Sequence, residues 1–355
     1  MSLFPDDNPF RSSITSTGWT SHLPGSNLSA PSMSRPLVSI LLPTWNGADS
    51  LPNLLAAIAS QELDGEVEII AFDSGSSDGT VQLLEQAGAL VTKIDKAEFS
   101  HGGTRNRIAA TASGEFLVFF SQDVLPEGTD YLAKLLEPFV DVRVAGVCAR
   151  VLPFADCDPL TARTVLDLPE ASTENCVRDL DKIGPVWAVD PIERNNYLRF
   201  NNVASAARAD VFRVFPFPEV SFGEDFAWAA RVLTAGYKIS FCAECVVYHG
   251  HRYSPRQAYR RYRTDAAFHL AAHGWKMRPS LLSVVRGVFF ELLADVGYLR
   301  ENNWKGATSL LRAPALRLAQ VWGQYKGSRK LIPLDPSAGL KVPGSSGVQP
   351  GVHST

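Results

Sequence analysis

The sequence predicts an α/β protein, a doubly wound and mainly parallel sheet with helices at the C-terminal end. Phe116–Phe120 is an unbroken apolar run, too short for a helix and rich in β-formers, which reads as a strand buried on both faces. Between residues 37 and 126 a strand, a polar loop and a helix alternate about four times at βαβ spacing. The 355 residues are 45% hydrophobic and 20% charged, as in an ordinary globular chain with ample material for a core.

In order, residues 1–34 are rich in Ser, Pro, Thr and Asn and are expected to form a disordered arm. Leu37–Leu42 is a short buried strand ending in Pro43-Thr44-Trp45-Asn46-Gly47. Leu51, Leu54, Leu55 and Ile58 then recur at helical spacing. A second strand, Val67–Phe72, runs into Asp73-Ser74-Gly75-Ser76-Ser77-Asp78-Gly79-Thr80 and a helix to about Ala87. A third, Leu90–Ile94, leads through Ser100-His101-Gly102-Gly103-Thr104-Arg105-Asn106 to a helix, then to the Phe116 strand. In this topology every polar loop falls at a strand's carboxyl end, so all four line one edge.

Past Val151 the pattern loosens. Residues 152–198, with five prolines and little periodicity, read as an excursion on the acceptor side of a domain spanning 35–251. Order returns at Val203–Ala207. A helical stripe of Phe226, Ala229, Ala230 and Leu233 ends at Gly236, and Tyr237–Phe241 and Val246–Tyr248 read as two strands. Two or three helices are expected in 252–330, the first strongly basic from Arg252 to Arg263, with a disordered tail over 331–355.

A net charge of −3 argues against nucleic acid as a partner. Five cysteines without a disulfide rhythm suit reduced thiols and a cytoplasmic location, and Cys242-Ala-Glu-Cys245 lacks the second pair that would complete a zinc site. Neither a signal peptide nor an apolar run of about 18 residues is visible. The basic 252–263 segment and the apolar Leu281–Leu293 run allow peripheral association with an anionic membrane face, or a basic helix that merely packs on the domain.

Four loops carry candidate chemistry. Asp123 ends the central strand, where a metal or phosphate ligand belongs, although an Asp there also caps helices. Asp73 is placed to accept from a base or ribose, or simply to shape a turn. The glycines around Gly103 open a helix and offer amides to an anion, with Arg105 adding charge. Glu224 and Asp225 are either first-turn acids complementing the helix dipole or a general base and its neighbour. His249 and His251 follow a strand and are candidate imidazole ligands.

Together these residues resemble the family 2 glycosyltransferases over roughly 37–251: Pro43–Gly47, Asp73–Thr80, Ser121-Gln122-Asp123 and Gly223-Glu224-Asp225 occur in the family's order. The resemblance implies a GT-A fold and inverting transfer from a nucleotide-diphosphate sugar. It places Pro43, Thr44, Asn46, Asp73, Ser74, Gly103, Arg105, Gln122 and Asp123 on the donor. By the same resemblance Asp123 would ligate Mg2+ or Mn2+ and Asp225 would be the catalytic base, with Glu224 and Trp228 expected toward the acceptor; His249 and His251 are the candidate further metal ligands. The usual Asp-x-Asp is here Ser121-Gln122-Asp123, so one carboxylate is missing.

The Gln-Asp form, with the His101–Asn106 stretch and the two histidines, is similar to the rhamnosyltransferase branch. That implies dTDP-L-rhamnose as donor, with UDP-sugars as the alternative, and a glycan or lipid-linked saccharide of a surface polysaccharide as acceptor. Three rivals remain at this level. A pyrophosphorylase wants a Gly-rich basic signature after the first strand, which Pro43–Gly47 is not. A sugar-nucleotide-binding protein without activity has no need of Asp225. A membrane-surface scaffold needs only the basic and apolar C-terminal stretches.

Overall fold

The computed structural model describes residues 38–183, 189–220 and 222–330; the expected N-terminal arm and C-terminal tail lie outside them. The elements run β1 Val38–Thr44, α1 Leu51–Ala59, β2 Val67–Asp73, α2 Thr80–Gln86, β3 Leu90–Lys93, α3 His101–Thr111, β4 Phe116–Phe120, β5 Leu125–Pro126, α4 Tyr131–Leu136 and β6 Val144–Leu152. There follow α5 Pro159–Leu166, β7 Cys176–Arg178, α6 Leu180–Ile183, α7 Pro191–Tyr197, β8 Ala204–Arg208, α8 Ala209–Val214, α9 Glu224–Thr234 and β9 Lys238–Tyr248. Helices α10 Pro255–His273, α11 Leu281–Glu301 and α12 Ala313–Gly327 close the described chain.

The sheet order is β3-β2-β1-β4-β8-β6-β9-β5, with β7 beside β9. Strands β3, β2, β1 and β4 are parallel; β8 reverses against both β4 and β6, so β6 points the same way as β4, and β9 runs parallel to β6. Only β5, β7 and β8 run against them. The sheet is therefore mainly parallel, as the sequence predicts. β4 is fully buried and alternates its side chains between two cores. Leu117 and Phe119 meet α3, α8 and α9 through Ile108, Phe212 and Trp228, while Phe116, Val118 and Phe120 meet α1 and α4 through Leu54 and Leu132. That two-faced cover is the doubly wound arrangement.

Two expectations change. The segments read as separate strands at 237–241 and 246–248 are one strand, β9, whose partner on β6 jumps from Cys242 to Val246 between Ala149 and Arg150. A bulge at 243–245 absorbs the extra residues and breaks the alternation that a continuous strand would show. Cys242 precedes that bulge and Cys245 is its last residue, and both are buried free thiols. The 152–198 stretch also carries regular structure. Asp158 and Asp190 cap α5 and α7 with side-chain bonds to backbone N–H groups.

The C-terminal helices are fixed by buried charge. Asp295 of α11 accepts from Arg163 Nε of α5 at 2.7 Å and from Arg317 of α12 at 2.7 and 2.8 Å. Arg163 also reaches Glu291. With Arg317 and Asp295 each 1% exposed, removing either partner strands a buried charge at a cost of about 3–5 kcal/mol.

Candidate active site

The carboxyl ends of β1, β2 and β4 and the start of α9 open on one cleft of about 930 Å3, which α10 and α12 close from the other side. Its first wall is a lattice of loop hydrogen bonds. Asp73, 1% exposed, accepts four: from Gly75 N–H at 3.1 Å, Ser76 N–H at 2.8 Å, Thr44 Oγ1 at 3.1 Å and Ser76 Oγ at 2.5 Å. A carboxylate offers about four acceptor sites, so Asp73 shapes the loop and does not itself line the cleft. Asn46, with φ at +45°, accepts from Ser77 N–H at 3.0 Å and so ties the first loop to the second. Gln122 clamps the first loop from the other side. Its Oε1 accepts from Trp45 N–H at 2.8 Å and its Nε2 donates to Trp45 O at 2.9 Å.

Pro43, Thr44, Ser74 and Arg105 do line the cleft. Ser74 Oγ is buried without a partner among the described residues, a hydroxyl held ready for a ligand. Gly103 corrects the anion-cradle expectation. Ser100 caps α3 by accepting its N–H at 3.1 Å, and the residue does not face the cleft. The glycine pair serves packing instead: a Cβ on Gly102 would stand 3.2 Å from Glu224 Cβ and from Pro218 O, so α3 approaches the Glu224 turn closely only with glycine there.

Asp123 meets both histidines through strand register. The antiparallel pair Leu125–Tyr248 places Asp123, two residues earlier, opposite Gly250, so His249 and His251 flank it. His249 Nε2 lies 3.5 Å from Asp123 Oδ1, and His251 Nδ1 lies 3.7 Å from Asp123 Oδ2. All three ligand atoms fall within 4.8 Å of one another. Burial acts to raise the Asp123 pKa, but the His249 hydrogen bond and the two imidazoles outweigh it and hold the carboxyl below its ordinary value. Burial, with His249 alongside, lowers His251, which leaves a neutral imidazole with a free lone pair. The donor set of one carboxylate and two imidazoles fits a divalent cation.

Opposite, α9 begins at Gly223. Its φ of +80° and the Phe268 ring, 2.2 Å from where a Cβ would sit, both demand glycine. Helical geometry predicts that only one of the next two acids points inward; in the structure both Glu224 and Asp225 reach the cleft. They differ in their partners. Glu224 accepts from Asn202 Nδ2 at 3.3 Å and faces Arg105 Nη1 at 3.9 Å. Asp225 accepts from the Phe226 N–H at 2.9 Å and has no side-chain hydrogen-bond partner among the described residues. Burial first, and the neighbouring Glu224 second, push its carboxyl up to about 8. Trp228, expected on the acceptor side, does not reach the cleft. It is fully buried, donates from Nε1 to Phe215 O at 2.7 Å and packs on Phe200 and Phe217, because its place one turn along α9 turns it into the core.

The glycosyl transferase family 2 model matches residues 39–186. The O-antigen chain rhamnosyltransferase RfbN of Salmonella typhimurium is 33% identical over 246 residues, 68% of this chain and 74% of that protein. The chain belongs to glycosyltransferase family 2. A second relative, the O-antigen chain rhamnosyltransferase WbaN of Salmonella anatum, is 33% identical over 68% of this chain and 75% of its own length. Among solved structures, the mannosyltransferase PcManGT of Pyrobaculum calidifontis, in complex with GDP-Man and Mn2+, is 20% identical over 83% of this chain and 85% of that one, with a TM-score of 0.49.

The sequence reading of this glycosyltransferase passed over several cleft residues. Trp45 is 47% exposed with the Lys96 ammonium 3.6 Å from its ring centroid, a cation–π pair at the rim. Its signal was a large aromatic inside a strand-end loop. Asn202 positions both Glu224 and Arg105, its carbonyl accepting from Arg105 Nη2 at 3.3 Å. It sits just before β8, where nothing in the local pattern marks it. No helix among the described residues is long and apolar enough to cross a membrane.

Proposed function

We propose that this glycosyltransferase moves L-rhamnose from dTDP-L-rhamnose, with inversion, to a hydroxyl of a saccharide or lipid-linked saccharide in surface polysaccharide assembly on the cytoplasmic side. The observation that carries the donor is the 33% identity to two O-antigen chain rhamnosyltransferases over two thirds of the chain. The reaction type rests on the cleft, where an acid without a strong partner, Asp225, faces a ligand cluster at Asp123.

In this reading Asp225 is the base. The acceptor oxygen forms a bond to the anomeric carbon as the bond from that carbon to the diphosphate oxygen breaks. The acceptor's proton passes to Asp225, and the nucleoside diphosphate leaves. One displacement at the face opposite the leaving group inverts the anomeric centre, and the leaving diphosphate needs no general acid. Asp123, His249 and His251 would hold the divalent cation. When bound, it acts as a Lewis acid that offsets the charge gathering on the diphosphate. Burial first, and then Glu224, held by Asn202 and facing Arg105, keep Asp225 basic enough to take a proton near neutrality. Thr44, Ser74 and Arg105 bind the nucleoside side. Asp73, Asn46 and Gln122 hold the loops in the shape that binding needs.

Incubation of the purified protein and Mn2+ with dTDP-L-rhamnose, UDP-glucose and UDP-N-acetylglucosamine in competition tests the donor. We expect rhamnose transfer to lipid-linked or soluble saccharides with an inverted anomeric centre. Turnover of UDP-hexoses with dTDP-L-rhamnose untouched overturns the assignment.

A further inference from the structure

Helix α11 is amphipathic in the reverse of the usual sense. Its charged Glu291 and Asp295 face inward to Arg163 and Arg317, whereas its outer face is apolar. Leu281, Leu282, Val285, Phe289, Phe290, Leu293 and Val296 are all exposed, with Phe290 at 66% and Leu293 at 70%. At 100° per residue these positions share one half of the helix surface. Along the sequence Glu291 and Asp295 break the apolar run, but in the structure both face inward, off this strip. A continuous exposed apolar strip along a helix of this length is an interaction surface rather than ordinary solvent-facing helix.

The charges on the strip indicate its partner. Arg286 and Arg300 lie on it, and neither makes an ion pair among the described residues. Helix α12 runs antiparallel to α11, since Arg329 Nη2 donates to Pro279 O at 3.0 Å. This brings Lys326, Arg329 and Lys330 beside the first turn of α11. Here Trp322 stacks on Tyr325, and the Arg329 guanidinium lies 3.5 Å from the Tyr325 ring centroid. Apolar residues with basic groups and interfacial aromatics at one end form the pattern of a helix lying in a headgroup layer. Pairing with a second copy through this strip instead buries two arginines against a face that offers no acid, which is costly.

We propose that the outer face of α11, with the basic end of α12, docks this protein on an anionic lipid bilayer. This is distinct from the basic Arg252–Arg263 segment, which leads into and forms the start of α10, and it stands whether or not the donor assignment holds. The inner side of α12 lines the cleft through Leu316 and Gln320. Docking through α11 therefore holds the cleft one helix layer from the bilayer surface, within reach of a lipid-linked acceptor.

The test is flotation of the full chain with phosphatidylcholine vesicles, with and without phosphatidylglycerol, at low and high salt. We expect the protein to float with the anionic vesicles, to be released by salt, and to stay at the bottom with neutral ones. The Phe289→Ser/Phe290→Ser/Leu293→Ser variant should float at least about tenfold less, with an unchanged melting temperature and unchanged transfer to a water-soluble acceptor. Arg286→Glu/Arg300→Glu, which leaves the apolar residues intact, should lose flotation too. Wild-type protein that stays at the bottom with anionic vesicles overturns the proposal. So does a lipid-free dimer that the triple serine variant converts to monomer, because the strip then belongs to a second copy.

Discussion

The loops after β1 and β2 and the start of α9 face each other across one cleft, yet they treat their polar groups in opposite ways. In the loops nearly every motif side chain is occupied: Asp73 with four acceptor bonds, Asn46 with Ser77, Gln122 with both polar groups of the Trp45 backbone. At α9 the Asp225 carboxyl is left with one N–H and a charged neighbour, and its pKa climbs to about 8. The first arrangement gives a rigid, preorganised surface for a ligand. The second raises the pKa of a carboxyl toward neutrality, the range in which a general base exchanges protons most readily. In the proposed mechanism the satisfied carboxylate of Asp73 goes with holding the donor and the less satisfied Asp225 opposite with reacting.

Asp225→Asn is the sharpest way to break this contrast. It should lower kcat by about 10²- to 10⁴-fold while circular dichroism and nucleotide affinity by calorimetry stay near wild type. Glu224→Gln should act differently, because it leaves buried Arg105 without its carboxylate. Melting temperature should fall more than the rate does. A Glu224→Gln variant with full stability and a collapsed rate would exchange the two roles.

Asp123→Ala comes next. Loss of the single carboxylate from the Asp123–His249–His251 cluster should remove most activity, and titration calorimetry should show weaker Mn2+ binding. Excess chelator should silence the wild type, with Mn2+ or Mg2+ restoring activity. Full turnover in chelator would remove the metal from the account.

The smallest effect is expected in the satisfied region. Asp73→Ala leaves several buried donors unpaired at about 1–3 kcal/mol each, so the melting temperature should drop and the donor KM should rise. The kcat at saturating donor should change little. A kcat loss as large as that of Asp225→Asn would place Asp73 among the reacting groups.

The same contrast explains what the sequence could disclose. The parallel half was legible because short apolar runs and glycine-rich turns encode it locally, and β4 is as buried as its five residues imply. The loops were legible as motifs, but their side chains' roles were not. Whether Asp73 faces a base or its own loop depends on Ser76 and Thr44, and the latter lies 29 positions away. Trp228 misled because an aromatic near a catalytic acid looks like a platform, while helix phase turns it into the core. The Asp123–His249–His251 cluster lay within reach as separate residues. Only the Leu125–Tyr248 register, across more than a hundred positions, makes it one site. The α11 strip was hidden for a similar reason, since only tertiary pairing shows that its acids face inward.

The central claim is that Asp225 is a base whose surroundings raise its pKa. The most direct measurement is the pH dependence of kcat/KM for the free enzyme, from about pH 6 to 10, with metal held at saturation. A base acts when deprotonated, so a carboxyl raised to about 8 predicts a rate that climbs with pH and levels off above that value. In Arg105→Lys, which keeps the charge but alters its position, the midpoint should shift while the limb remains; in Asp225→Asn the limb should vanish along with most of the rate. A wild-type profile flat from pH 6 to 10, or an ascending limb that survives unchanged in Asp225→Asn, would contradict the assignment.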